Sequence, residues 1–475
     1  MPDAPDQAGL DRDEAWRRDL GEAALARVLR FIATLDEQAI CGAIDDLDRF
    51  RALHEPPPEE ARPVEALLDR VFTEVVPPSF HTAHPGYMAY VPGGGLYPAA
   101  IGAFVAAATN RFSGVWQAAP GLAEVEACVL GWFRDWMGFP AGTRGLLTPG
   151  GSMSTLAALV TARERHLGRD LREGVLYASV EVHHCVTKAA RLAGIFDDRV
   201  RLLPVDGGHR LDLDRLAAAV AADRRAGLRP FLVVSSAGTV HTGVVDDIAA
   251  VGTFCREQEL WHHVDGAYGG FFHVVPELAP LLAGLPDADS LALDPHKGLF
   301  QPYGSGALLV RDGEALRAAH EAHAGYLPDA AAEGFYDPSQ YGPELSRPWR
   351  GLPIWLSVQS LGMAALRRTI AERRELALAA AARLAEDPRL EVLAPPTLSL
   401  FAFRLRAGTP EVRDARTREL LLRLRARGRV MLSGCRLDGA EVGRVCVLSF
   451  RTRPRDVDAL AEDLAAVLDE LVGPR

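Results

Sequence analysis

The chain has 475 residues, of which 48% are hydrophobic and 24% charged, as is ordinary for a globular protein with two or three subdomains. Its net charge of −11 and the lack of a basic stripe argue against nucleic-acid binding, and no window reaches the ~18 uncharged apolar residues of a membrane span. An acidic, polar first segment unlike a secretory signal and six scattered cysteines predict a cytoplasmic protein with free thiols.

Residues 1–95 are predicted to form a helical arm followed by a pocket loop. Apolar residues recur at helical spacing within 11–75, and the prolines at 56–58 interrupt the pattern. Such an arm could pack against a partner subunit or within its own chain. The segment 81–95 is aromatic and rich in Pro and Gly, which suits a loop that lines a pocket.

Residues 96–352 are predicted to form a large α/β domain. Short apolar strands alternate with helices from residue 145 onward, which predicts an open, mostly parallel sheet that binds ligands at the carboxyl ends of its strands. Helices are also expected at 99–108 and 120–136. The strands are predicted at 175–179, 200–204, 231–235, 261–264, 290–293 and 307–310.

Residues 353–475 are predicted to form a small α+β domain. A long helix over 354–384 leads to strands at 398–405 and 445–450 and to a closing helix at 456–471. The preceding segment, 312–349, has no clear period, and a connection of that length is usually functional or mobile.

The chain contains only two lysines, Lys188 and Lys297, among 52 cationic residues. Arginine keeps its proton and cannot act as a nucleophilic amine. In a chain that uses arginine at nearly every cationic position, each lysine is therefore a candidate for Schiff-base chemistry. Lys297 follows a predicted strand in Asp294-Pro-His-Lys. Lys188 lies in a helical run without suitable neighbours, and we expect it at the surface.

Two further segments carry candidate chemistry. The segment Gly145–Thr155 is a Gly-rich turn before a helix, which could bind a phosphate or could simply precede a Ser-capped helix. Asp265 ends an apolar strand, where a carboxylate could hold a proton on a pyridine nitrogen, cap a helix or bind a metal. We predict no metal site, because the adjacent His262 and His263 would point to opposite faces of the strand.

The phosphate loop, the acid and the lysine, in this order, resemble the pyridoxal-phosphate-dependent group II decarboxylases, which include aromatic-amino-acid, glutamate and cysteine-sulfinate decarboxylases. The resemblance extends from about His84 to the closing helix. It implies an aspartate-aminotransferase-like enzyme of fold type I with pyridoxal 5'-phosphate as cofactor. It also implies conversion of an L-amino acid to its amine and CO2 through an external aldimine and a quinonoid, in a homodimer with active sites at the interface.

The resemblance also implies roles for individual residues. Lys297 would carry the cofactor, Asp265 would pair with the ring nitrogen, and His183, beside His184, would stack on the ring. Tyr90 and Arg444 would contact the substrate. Further cofactor contacts are implied for Gly151, Ser152, Thr239, Ala267 and His296.

The family's mobile loop carries a tyrosine that protonates the reacting carbon, and Tyr336 is the first candidate for it, followed by Tyr341. The number of residues between this tyrosine and the segment Ser346–Arg350 places the family's tyrosine position nearer Pro338 than Tyr336. Members without this tyrosine make aldehydes, so an oxidative decarboxylase is an alternative, as is an inactive scaffold. Asp294 stands where animal members have asparagine, and it receives no role.

The substrate side chain stays open at this stage. Small residues, Ala83 and Gly93, stand where aromatic-specific members tend to be bulkier. An acidic side chain could be bound by arginines, namely Arg111, Arg347 and Arg350. An aromatic side chain could instead be flanked by aromatic residues, namely Tyr87, Tyr90, Phe112 and Trp116.

Overall fold

The computed structural model describes residues 10–322 and 334–474, and its architecture is built on two sheets. The larger sheet has seven strands: β1 (Arg144–Thr148), β2 (Gly174–Ser179), β3 (Val200–Leu203), β4 (Arg229–Ser236), β5 (Trp261–Gly266), β6 (Ser290–Leu293) and β7 (Gly306–Val310). Their order is β1-β7-β6-β5-β4-β2-β3, and only β7 runs antiparallel to its neighbours. This arrangement confirms the predicted, mostly parallel α/β sheet.

The smaller sheet is antiparallel and has the order β10-β11-β9-β8. Its strands are β8 (Leu390–Val392), β9 (Leu400–Leu405), β10 (Ser433–Leu437) and β11 (Ala440–Cys446).

The described residues also form fifteen α-helices. They are α1 (Glu14–Ala33), α2 (Leu47–Arg51), α3 (Val64–Arg70), α4 (Tyr97–Thr109), α5 (Pro120–Trp136), α6 (Gly151–Leu167), α7 (Cys185–Leu192), α8 (Leu213–Arg225), α9 (Ile248–Glu257), α10 (Pro295–Gly298), α11 (Gly313–His320), α12 (Gly351–Leu361), α13 (Met363–Ala385), α14 (Pro410–Arg427) and α15 (Pro454–Val472). Within 10–322 and 334–474, none of them has the length and apolar character that a bilayer span demands.

Both faces of the larger sheet are covered by helices, because its strands are apolar on both sides. Leu176 and Val234 pack with α6 and α7 on one face, whereas Tyr177 and Val233 pack with α8 and α9 on the other. The smaller sheet is covered by α13, α14 and α15.

Several sequence-based boundaries were wrong. The helix predicted over 354–384 is two helices, because Gly362 adopts φ +76° between α12 and α13. The strand predicted at 445–450 is β11, which ends at Cys446. β1 was missed within the Gly-rich segment, and the aperiodic segment 312–349 contains α11.

The loop after residue 84 is hydrogen-bonded to the last part of the chain. The Met88 amide donates to the Met431 carbonyl at 3.0 Å, and the Thr452 hydroxyl donates to the Pro85 carbonyl at 2.7 Å. Arg451 Nη1 donates to the Gly94 carbonyl at 2.9 Å. The wall of the pocket is therefore fixed by residues more than 300 positions away in the sequence.

Candidate active site

A cavity of about 310 Å³ lies at the carboxyl ends of β4, β5 and β6. Parallel strands end together at one edge of the sheet, so the residues that follow them meet there. Eight of the predicted site residues line it: Gly151, Ser152, His183, Thr239, Asp265, Ala267, His296 and Lys297.

Lys297 lies in α10, the single turn that follows β6, and its side chain is 23% exposed. Its Nζ lies 2.7 Å from Oδ2 of Asp294, whose side chain is 3% exposed. Burial lowers the pKa of the Lys297 amine, but the charge and hydrogen bond of Asp294 outweigh burial and hold this pKa above its ordinary value. The Lys297 amine is thus in direct contact with a buried carboxyl group.

The Gly-rich segment forms the end of β1 and the first turn of α6. A side chain at Gly151 would bring its Cβ to 3.0 Å from the Cβ of Ala267 and to 3.2 Å from Oδ2 of Asp294. A side chain at this position would therefore crowd its neighbours. The amide groups at the start of a helix favour an anion, so this turn can hold a phosphate.

Asp265 lies at the end of β5, in register with Ser236 on β4 and Ala292 on β6. It is 9% exposed and lines the cavity. Its Oδ1 accepts a hydrogen bond from the Ala267 amide at 3.1 Å, which fixes the carboxylate. A fixed, buried carboxylate of this kind can hold a proton on a ring nitrogen.

His183 and His184 differ in their positions relative to the cavity. His183 lines the cavity, and its Nδ1 accepts a hydrogen bond from the Cys185 amide at 3.2 Å. His184 is exposed. Burial lowers the pKa of His183, so the imidazole that faces the cavity favours the neutral form.

Thr239 reaches the cavity from the loop after β4, and His296 reaches it from α10. The Thr239 hydroxyl is hydrogen-bonded to that of Thr242 at 2.8 Å. His296 Nδ1 donates to the Ser305 carbonyl at 2.6 Å, and its Nε2 lies 3.5 Å from Asp294 Oδ2. Both side chains are thereby held in fixed orientations at the wall.

The two predicted substrate residues, Tyr90 and Arg444, are joined through Ser433. The Tyr90 amide and Arg444 Nη1 donate to the Ser433 hydroxyl at 2.9 and 3.1 Å. Arg444 is 4% exposed, and its buried Nη2 has no hydrogen-bond partner among the described residues. Tyr90 adopts φ +54°, a strained conformation for a bulky residue. Neither side chain lines the cavity itself, although the neighbouring Val91 does.

The structure does not bring Tyr336 to this cavity. Its hydroxyl donates to Glu126 Oε1 at 3.1 Å, and its ring stacks on Tyr341 with centroids 5.6 Å apart. Burial raises the pKa of the Tyr336 phenol well above its ordinary value, so the phenol keeps its proton. The role of Tyr336 as proton donor stays a prediction. Part of the segment predicted to be mobile, 323–333, lies outside the described residues.

Asp294 is the site residue that sequence reasoning missed. We assigned it no role because a carboxylate near a phosphate is repulsive, but its charge is met by Lys297. The sequence feature that could have revealed its role is its spacing of three residues from Lys297, because this spacing places both side chains on one side of a helical turn.

The residues present fit pyridoxal 5'-phosphate. The cavity offers an amine for the aldehyde, a helix N-terminus for the phosphate, a fixed carboxylate for the ring nitrogen and a neutral histidine beside them.

Comparison with known proteins gives the same assignment. Residues 48–406 match the family described as the pyridoxal-dependent decarboxylase conserved domain. The chain is 31% identical over 460 residues to the aromatic-L-amino-acid decarboxylase of Bacillus atrophaeus, with 96% of each chain covered. It is 29% identical over 417 residues to the 4-hydroxyphenylacetaldehyde synthase of Rhodiola rosea, with 85% of each chain covered.

The Oryza sativa TDC structure with PLP and tryptamine superposes with a TM-score of 0.94 at 27% identity, covering 98% of this chain and 100% of that one. The fold is therefore the predicted fold type I architecture, and the cofactor is pyridoxal 5'-phosphate. The chain belongs to the pyridoxal-dependent decarboxylase family and is a pyridoxal-phosphate-dependent amino-acid decarboxylase.

Proposed function

We propose that the substrate is an aromatic L-amino acid, which the enzyme converts to its amine and CO2. The observation that carries this proposal is the pairing of two of the three arginines, Arg347 and Arg350, that could have bound an acidic side chain; the third, Arg111, is exposed. Arg347 Nη1 lies 2.6 Å from Glu126, and both side chains are buried. Arg350 forms two hydrogen bonds with Glu344, at 2.8 and 2.9 Å. Neither guanidinium is available to a substrate carboxylate without losing its partner.

Aromatic side chains near the pocket loop support the same substrate class. Tyr90 is 52% exposed, and its ring stacks on Phe80 with centroids 6.1 Å apart. An exposed aromatic ring of this kind offers stacking to another ring. The similarity to the aromatic-L-amino-acid decarboxylase of Bacillus atrophaeus points in the same direction.

The roles proposed for the site residues follow from their positions. Lys297 would hold the cofactor and release the product amine, Asp265 would keep a proton on the ring nitrogen, and His183 would lie against the ring. Bound pyridoxal phosphate supplies the electron sink for decarboxylation. The spare Nη2 of Arg444 would hold the substrate carboxylate. The phosphate would contact Gly151 and Ser152 in the first turn of α6 together with Thr239 and His296, and Ala267 would lie beside the ring.

Proton delivery separates the two possible products. Protonation of the carbon that loses CO2 yields an amine, whereas diversion to oxygen yields an aldehyde. We propose Tyr336 as the donor, because it lies in the segment where the resemblance to the family implies a loop tyrosine. To reach the substrate, Tyr336 must break its hydrogen bond with Glu126. Tyr341 is the second candidate for the proton donor.

A panel of amino acids tests this function directly. We expect CO2 release from tryptophan, tyrosine or phenylalanine to exceed release from glutamate, aspartate or cysteine sulfinate, with amine as the product. Higher turnover of an acidic substrate would overturn the aromatic assignment, and aldehyde with peroxide would indicate the oxidative reaction. Lys297→Ala should abolish the absorption of bound cofactor, whereas Lys188→Ala, which alters an exposed lysine, should retain it.

We further propose a cytoplasmic homodimer with active sites at the interface. Helix α1 has 20 residues and none is buried, and its Leu25 and Leu29 are exposed. Exposed apolar side chains along one helix are typical of a surface that a partner covers. Light scattering after size exclusion should give twice the chain mass, and Leu25→Glu with Leu29→Glu should shift it toward the monomer. A wild-type monomer at micromolar concentration would contradict the proposal.

A further inference from the structure

Asp294 and Lys297 are held together by the backbone of α10. The Lys297 amide donates to the Asp294 carbonyl at 2.8 Å, and the Gly298 amide donates to it at 3.2 Å. This turn places Asp294 Oδ2 at 2.7 Å from Lys297 Nζ. The short distance is thus built into the local backbone and does not depend on a distant element.

The amine is the main charged partner of this carboxylate. Asp294 Oδ2 lies 3.5 Å from His296 Nε2, and Oδ1 is buried with no hydrogen-bond partner among residues 10–322 and 334–474. A buried carboxylate with a single ammonium partner strongly favours the charged form of that partner. The groups that also act on Lys297 electrostatically or share its cavity are Asp265, His183, Cys185, His296 and Cys446.

We propose that Asp294 holds the Lys297 amine as an ammonium ion and thereby sets the pH above which this amine can attack an aldehyde. The inference rests on the proposed role of Lys297, but its test requires neither cofactor nor substrate.

The direction follows from two opposing effects. Burial of an amine favours its neutral form, and a carboxylate in contact favours its charged form. In this site the carboxylate prevails. When Asp294 loses its charge, burial remains, while Asp265 acts only through its charge and forms no hydrogen bond with Lys297. The amine should then be neutral, and nucleophilic, at a lower pH.

The test is reductive methylation of the full-length chain after removal of the cofactor with hydroxylamine. The amine condenses with formaldehyde and loses water, and cyanoborohydride supplies the hydride that leaves a methylated amine. Because the chain has only two lysines, mass spectrometry can follow Lys297 against exposed Lys188 in the same sample. The ratio of the two rates is measured between pH 7 and pH 10.

In wild type we expect Lys297 to react more slowly than Lys188 and to gain reactivity at higher pH. Asp294→Asn should shift the Lys297 profile down by about 1 to 3 pH units, the usual effect of an adjacent charge. Asp294→Glu should largely restore it. Asp289→Asn, which alters the aspartate at the opposite end of β6, should leave it unchanged.

An unshifted profile in a folded Asp294→Asn variant would overturn the proposal. The proposal would also be overturned if Lys297 of the wild-type protein became reactive at the same pH as Lys188 or at a lower pH. This comparison does not depend on the folding of any variant. The substrate panel and the cofactor absorption of the wild-type enzyme test the proposed function separately, so failure of one does not imply failure of the other.

Discussion

Glu126 on α5 and Arg347 form an ion pair across 221 residues of sequence, with Oε1 and Nη1 2.6 Å apart. Their side chains are 1% and 3% exposed, and Arg347 Nη2 also donates to the Leu147 carbonyl on β1 at 3.2 Å. The pair therefore fastens the segment before α12 to the strand that leads into the phosphate loop.

Removal of one partner should destabilise the fold strongly. Arg347→Met leaves the Glu126 carboxylate buried without a counter-charge, which we expect to cost about 3–5 kcal/mol in the free energy of unfolding. The measurement is urea unfolding of the holoenzyme. Arg18→Met, which breaks the exposed pair with Glu14, is the control and should cost at most ~1 kcal/mol. Equal effects of the two substitutions would contradict the structural role.

Substitution of Gly151 should weaken cofactor binding. The new methyl group of Gly151→Ala would lie 3.0 Å from the Cβ of Ala267, which crowds the first turn of α6. A strain of about 1–3 kcal/mol corresponds to a loss of roughly 5- to 150-fold in affinity, measured by titration of the apoenzyme. Gly131→Ala meets nothing within 4 Å and should bind the cofactor as wild type does.

Two buried histidines should make the fold sensitive to acid. Burial lowers the pKa of His262 to about 3 and that of His263 to about 4. The unfolded chain takes up these protons below about pH 6.5, whereas the folded chain does not. The contribution of the two histidines to the free energy of unfolding is therefore complete above that pH. It declines as the pH falls toward their pKa values in the folded chain, by up to roughly 1.4 kcal/mol per pH unit for each histidine.

His262→Gln can keep the hydrogen bond to Ser235 and should flatten this decline between pH 6.5 and 4.5. Urea midpoints across that range measure the effect. His54→Gln, at an exposed position, should leave the slope as it is in wild type. A His262→Gln profile parallel to wild type would show that other groups control acid sensitivity.

The proposed proton donor can be tested by product analysis. Tyr336→Phe removes the hydroxyl, so we expect a higher ratio of aldehyde to amine, together with some loss of stability from the broken contact with Glu126. Tyr341→Phe, which keeps the stacked ring, tests the second candidate donor in the same assay and should leave the product ratio unchanged if Tyr336 is the donor. Unchanged amine production by Tyr336→Phe, with reduced stability, would leave the phenol as a structural anchor only.

The sequence predicts much of this fold because its strongest signals are local. All six apolar runs predicted for the larger sheet are strands. Five of them are buried on both faces, and β3, at the edge of the sheet, is only partly buried. β1 was missed because glycines next to a short Leu-Leu pair are typical of a loop. The break at Gly362 had a signal, an isolated glycine within a helical pattern, that was not weighted enough.

The site was predictable for the same reason, up to the limit of local spacing. Lys297 and the Gly151 turn each follow a strand and Asp265 lies at the end of one, so they meet at one sheet edge. The contact of Tyr336 with Glu126 and that of Arg444 with Ser433 depend on how distant segments pack. Neither contact has a signature in sequence spacing.

The hydrogen bonds that hold the pocket loop also bear on how the enzyme is synthesised. Thr452 and Arg451 hold carbonyls 367 and 357 residues earlier in the chain. During translation from the N-terminus, the loop must wait for nearly the whole chain to leave the ribosome before these bonds can form. In nascent chains stalled before residue 451, the pocket loop should therefore lack these hydrogen bonds. We expect the ability to bind the cofactor to appear only late in synthesis.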